Sequence, residues 1–273
     1  MSQKFSYKSF VLEYGVYGSG QETVLCFHGF GRKQEDFELF TALLKPGQQL
    51  VSINLFAHEG SYFPEDRIDN QPLLLSEWKE MLEAFLSELK IDHFHLLGYS
   101  MGGRIGLVTL GLMRERIQSV LLIATDGLKI NMMYKFASGT ILGKYLYRKL
   151  IDNPKPLFAV ANVLHKLKLL SPKLHRFTHV HLDTREKRIL VHDAWLIYRN
   201  FFPDLHETAA IILDKKIPFH MIFGKYDSVI RPQLGEKFCR ILGDMKYMSV
   251  ISSGHRLLND QLLEYIRERR LWP

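Results

Sequence analysis

The residues best placed to do chemistry form the run Gly98-Tyr99-Ser100-Met101-Gly102. A serine hydroxyl is a weak nucleophile at neutral pH. It needs a base to take its proton, a group to orient the base, and donors for the developing oxyanion. The chain offers a candidate for each. Glycines on both sides of Ser100 let the backbone turn sharply enough to present it at the end of a strand. A helix N-cap is the other use of a serine at such a junction. The candidate base is His255, in Ser253-Gly254-His255, although it is one of 12 histidines. The candidate acid is Asp227, in Gly224-Lys225-Tyr226-Asp227, whose carboxylate would accept the second imidazole N–H and fix the tautomer. Asp126 is a rival, because it also follows a strand. The order nucleophile, acid, histidine favours Asp227. The oxyanion donors would be the backbone N–H groups of Met101, at a helix start, and of Phe30, in His28-Gly29-Phe30-Gly31.

These groups can meet only if strands and helices carry them to one place. Phe5 to Tyr17 alternates loosely and predicts an antiparallel pair. Short apolar runs at Thr23–Phe27, Leu50–Leu55, His93–Tyr99, Ser119–Ala124, Ile217–Phe223 and Met245–Ile251 predict buried strands. Helical spacing falls between them. It covers Phe37 to Leu44, Leu73–Lys90, Met101 to about Arg116, Gln233–Leu242 and Leu257–Arg269. Strands alternating with helices imply a mostly parallel sheet covered on both faces. From Gly127 to Lys216 the alternation stops. Helical patterns at Tyr134–Leu150, Pro156–Leu170 and Arg185–Phe202 predict an all-helical insertion there.

Composition bounds the classes. The chain has 273 residues, 47% of them hydrophobic and 24% charged, enough for a sizeable core. No apolar run reaches the length of a membrane span, and the N-terminus lacks the apolar segment of an export signal. Cys26 and Cys239 both lie in apolar surroundings and read as buried free thiols. A cytoplasmic protein is the expectation.

Four of these motifs, in this order and at strand ends, resemble the α/β-hydrolase superfamily. The resemblance covers roughly residues 5–126 and 217–270. It implies an α/β-hydrolase core made of 1–126 and 217–273, with a helical cap, 127–216, inserted after the strand that ends at Ala124. The loop Asn54-Leu55-Phe56-Ala57-His58-Glu59 departs from the family pattern, which usually has an aspartate first and then Gly-His-Gly. A mechanism is also implied. Ser100 attacks a carbonyl, His255 takes its proton, Asp227 supports His255, and water releases the acyl-enzyme. No metal or organic cofactor is required. The implied substrate is a small acyl molecule, a carboxylic ester or thioester. A C–C bond hydrolase or acyl-processing lyase on the same triad is the alternative, followed by a non-catalytic ligand receptor. Ser100 excludes the aspartyl-nucleophile branch.

The segment Leu128–Lys216 holds 16 Lys or Arg against 7 Asp or Glu, a balance of +9 within a chain of net charge +7, so the basic excess lies there. Such a surface would attract anionic substrates, acyl carriers or a membrane surface, or simply be solvated. No nucleic-acid-binding motif accompanies it. His175, His179 and His181 lack the companion ligands of a zinc site. The aromatic and Met residues of the insertion, Met132, Met133, Tyr134, Phe136, Tyr145, Phe158, Trp195, Tyr198, Phe201 and Phe202, read mainly as packing, with an acyl pocket as the functional possibility.

Overall fold

A computed structural model describes residues 2–168 and 182–273. Thus His175, His179 and His181, with Lys173 and Arg176, lie outside the described residues. The chain divides into two units. The first comprises Met1–Phe63, Leu73–Lys129 and Phe201–Pro273; the second comprises Pro64–Pro72 and Ile130–Asn200.

The first unit is built on an eight-stranded sheet in the order β1-β2-β4-β3-β5-β6-β7-β8. The strands are β1 (Ser2–Tyr7), β2 (Phe10–Gly18), β3 (Glu22–Phe27), β4 (Gln48–Ile53), β5 (Phe94–Tyr99), β6 (Ile117–Ile123), β7 (Phe219–Gly224) and β8 (Met248–Ile251). Pairings β1–β2 and β2–β4 are antiparallel, and all others are parallel. Continuous apolar runs mark strands buried on both faces. Val24 to Phe27, Leu96, Leu97, Tyr99, Val120 to Ile123 and Met221 to Phe223 are all buried accordingly. β2 instead alternates along its first half, as an antiparallel strand with one wetter face does.

The helices of this unit are α1 (Leu75–Glu88), α2 (Met101–Met113), α7 (Leu205–Asp214), α8 (Pro232–Leu242) and α9 (Asp260–Glu268). α1 buries Trp78, Met81, Leu82, Phe85 and Leu86. Its Trp78 indole donates to Thr109 Oγ1 of α2 at 3.0 Å. α2 is buried on every side from Met101 to Leu110, so it is held rigidly at the centre of the fold.

Several elements differ from expectation. Gln34–Leu43 is a 3₁₀ helix. Its buried residues Phe37, Phe40 and Leu43 recur every three positions, which three residues per turn satisfies better than 3.6. The predicted helix Tyr134–Leu150 is two helices, α3 (Met132–Gly139) and α4 (Ile141–Asp152). The break is Thr140, whose hydroxyl accepts the Gly143 N–H at 2.9 Å and caps α4. α7 lies inside the stretch 127–216 yet belongs to the sheet-bearing unit. Asp204 caps it, accepting the His206 and Glu207 N–H groups, and it packs on α2 and α8. Phe201 likewise packs on Trp78, with ring centroids 5.9 Å apart. The second unit is therefore shorter at its C-terminal end than the expected insertion, and it gains 64–72.

That unit also contains α5 (Lys155–Lys166) and α6 (Arg185–Ile197). Arg188 is buried, and its guanidinium donates to the carbonyls of Ile151 and Leu182, each at 2.9 Å. The segment 64–72 is tied in through Asp69. Its carboxylate pairs with Arg148 at 2.7 Å, and its carbonyl accepts from Lys144 Nζ at 2.9 Å. Among the described residues, no helix is long and apolar enough to cross a membrane. Cys26 and Cys239 are both buried and free.

Candidate active site

Because β3, β5, β6, β7 and β8 run parallel, the loops after them all leave one edge of the sheet, where ligands bind in open α/β folds. All five loops carry residues singled out above.

Ser100 follows β5 with φ 52° and ψ −114° and opens α2. That conformation costs a non-glycine residue about 1–3 kcal/mol and persists only where the surroundings hold it. Here the Ser100 N–H donates to Ile123 O at 2.9 Å, and its carbonyl accepts from Gly103 N at 3.0 Å and Asp126 N at 2.9 Å. The turn also requires close backbone approach. A Cβ on Gly102 would lie 1.9 Å from Phe27 O and 2.6 Å from His28 O, both main-chain atoms. Gly102→Ala is therefore expected to cost about 3 kcal/mol or more of stability, read by urea denaturation. A variant as stable as wild type would contradict this packing.

The Ser100 side chain makes no capping bond to α2. Its Oγ instead lies 3.2 Å from His255 Nε2. His255 Nδ1 lies 2.7 Å from Asp227 Oδ2. With Nδ1–H donating to the carboxylate, Nε2 is left as the acceptor facing Ser100. Asp227 is 4% exposed. Its other oxygen accepts the N–H groups of Val229 at 2.6 Å and Ile230 at 2.8 Å. The two loops are laced together by Lys225 N to Ile251 O and Tyr226 N to Ser253 O, which carries Asp227 to His255. Asp126 goes elsewhere. Its carboxylate is 3.7 Å from Arg104 Nε and is one-third exposed.

Met101 is the first residue of α2, where helix N–H groups have no partner within the helix. The loop 28–31 passes close against the turn at Ser100. A Cβ on Gly29 would be 3.2 Å from Ser100 Cβ and 3.0 Å from the Tyr99 ring. Phe30 is the next residue.

The support for this loop was not read from sequence. His28 is fully buried. Its Nε2 accepts the Leu55 N–H at 2.9 Å and its Nδ1–H donates to Gly29 O at 2.7 Å. His58 Nε2 accepts the Gly31 N–H at 2.9 Å, and its Nδ1–H donates to Phe56 O at 3.1 Å. The two rings meet edge to face, 4.7 Å apart. Each imidazole must stay neutral to accept its N–H. Burial holds His28 well below the ordinary 6.5, and His58 below it as well. Burial likewise lowers His95 and His220. Unfolding frees these groups to bind protons, so stability should be full above about pH 6.5 and fall as pH drops from there through the lowered native values. Thermal melts across pH 7 to 5 check this. A melting temperature constant over that range would contradict it.

Tyr99 braces the histidine side of the site. Its ring stacks on His255, with centroids 5.6 Å apart, and its hydroxyl donates to His255 O at 2.8 Å. Burial pushes the phenol up to about 12, so it stays a donor. Its neighbour position in the serine turn is the only sequence signal for it. The unusual Asn54 has a physical reason. Its Oδ1 accepts the Gln34 N–H at 2.7 Å, and its Nδ2 donates to Glu13 Oε2 at 2.5 Å. An aspartate could do only the first. Ala57, where the family usually has glycine, sits at φ 68° in the left-handed region.

The family profile described as alpha/beta hydrolase fold matches residues 22–260, and the chain belongs to that family. Over 111 residues it is 32% identical to the dihydrolipoyllysine-residue acetyltransferase component of the acetoin cleaving system of Pseudomonas putida, covering 41% of this chain and 29% of that protein. The chain spans 29–39% of the curated relatives it matches. Among solved structures, a thermophilic esterase from Thermogutta terrifontis is similar with a TM-score of 0.67 at 17% identity, covering 99% of both chains. A study of carboxylesterases of Nitrososphaera gargenis supplies another, with a TM-score of 0.68 at 15% identity, covering 98% of this chain and 97% of that one. At such identities the likeness is one of fold.

Proposed function

We propose that this protein is a serine hydrolase that cleaves a carboxylic ester or thioester through an acyl-enzyme. The observation that carries the reading is the unbroken chain from Ser100 Oγ through His255 to Asp227, at 3.2 and 2.7 Å, on a serine held at positive φ. In this reading His255 Nε2 takes the Ser100 proton as Oγ attacks the carbonyl carbon. The imidazolium that forms is stabilised by Asp227 and then protonates the leaving alcohol or thiol. Water, deprotonated by the same imidazole, attacks the acyl-enzyme and regenerates Ser100. The N–H groups of Met101 and Phe30 are proposed to bind the oxyanion, with the α2 N-terminus adding a favourable field.

Every atom needed for these steps belongs to the polypeptide, the substrate or water. Labelling with a fluorophosphonate tests the proposal. Wild type should be modified at Ser100 and Ser100→Ala should not. Absence of labelling in wild type, or equal labelling of both, would overturn it. A panel of p-nitrophenyl esters beside a vinylogous diketone then tests the bond cleaved. Preferential turnover of the diketone would move the activity from C–O or C–S to C–C cleavage.

A further inference from the structure

The second unit carries an unusual outward surface. α3 buries Tyr134 and Ser138, and α4 buries Gly143, Tyr147 and Ile151. Both helices pack on α6, so their other faces look away from it. On a globular surface those faces should be polar. Here they are apolar. Ile141 is 86% exposed, Met132 77%, Leu142 58% and Tyr145 57%, with Phe136 and Leu146 also open. The residues recur at i, i+1, i+4 and i+5 on α4, so they share one stripe. A single residue, Thr140, joins the two helices, and they pack on one another.

Charge on this surface is one-sided. α3 and α4 contain four basic residues, Lys135, Lys144, Arg148 and Lys149, and one acidic residue, Asp152. Asp152 is itself paired with Arg185 at 3.1 Å. Lys135 and Lys149 are exposed on the same two helices. Cations interleaved with open Phe, Met, Leu and Tyr match a surface that is negative at its plane and apolar just beneath. Long lysine stems can lie over apolar ground with the ammonium at the lipid headgroups, and the aromatic rings suit the boundary itself.

We propose that the outward faces of α3 and α4 dock this protein onto an anionic lipid bilayer, lying in the interface without crossing it. An acidic protein would need acceptors placed against particular lysines, and a second copy would have to bring like charge together. The bilayer demands neither.

The test is co-sedimentation of the full chain with phospholipid vesicles holding about 30% phosphatidylglycerol, beside vesicles of phosphatidylcholine alone. Binding is expected to the anionic vesicles, with at least about tenfold weaker partitioning to the neutral ones and in about 0.5 M salt. Ile141→Glu/Leu142→Glu should reduce binding about tenfold. Lys135→Glu/Lys149→Glu, on side chains already in water, should do the same without altering the thermal melt. No sedimentation with anionic vesicles, or binding unchanged in both double variants, would overturn the proposal. So would sedimentation equilibrium showing a dimer that Ile141→Glu/Leu142→Glu dissociates, which would assign the surface to a second copy.

Discussion

Ser100→Ala should lower kcat on an activated ester by about 10⁶ while leaving the fold intact. The loss would be so large because, in the proposed mechanism, Oγ is the atom that forms the covalent bond. A residual rate of about 10³–10⁴ over water should persist if the Met101 and Phe30 N–H groups still bind the oxyanion. The backbone bonds that hold position 100, to Ile123, Gly103 and Asp126, do not involve the side chain, so the turn should survive. Steady-state kinetics with circular dichroism checks both halves. Retention of more than about one per cent of kcat would remove Ser100 from the mechanism.

Asp227→Asn should lower kcat by about 10⁴, and Asp126→Asn should leave it within about threefold. The asymmetry follows from what each carboxylate touches. The amide introduced by Asp227→Asn could keep accepting the Val229 and Ile230 N–H groups through its oxygen, as the carboxylate does. Its NH₂ would then face His255 Nδ1, which would have to accept. The proton would move to Nε2, and a protonated Nε2 cannot take the Ser100 proton. Asp126 has no bond to His255. Its side chain meets Arg104 at 3.7 Å, and its contribution to the serine turn is a main-chain N–H that the substitution retains. Kinetics of the two variants on one substrate decides the matter. Loss in Asp126→Asn with activity in Asp227→Asn would reassign the acid.

The strand-to-helix alternation was legible because parallel strands buried on both faces must be continuous apolar runs. Val24 to Phe27 and Val120 to Ile123 could hardly be anything else. Ser100 was legible for a local reason, since only glycine fits where the turn presses on Phe27 and His28. The helical stretch after β6 was less so. Its extent rests on tertiary packing. α7 belongs with the sheet because it meets α2 and α8, and 64–72 joins the helical unit because Asp69 meets Arg148, Lys144 and Arg199. Neither fact has a trace in local periodicity. His28 and His58 were hidden for the same reason. Each works by accepting an N–H from a distant loop, and twelve histidines look alike in a string.

By itself the sequence determined the sharp glycine-flanked turn at Ser100 and the mostly parallel sheet that carries it, since these rest on local steric demands and on the period of burial. Only the tertiary structure decided that Asp227 and not Asp126 reaches His255, that two neutral imidazoles brace the loop beside Ser100, and that α3 and α4 turn apolar faces outward. Those outcomes depend on which loops the sheet order brings together and which helix faces find a partner, and residues far apart in the chain settle both.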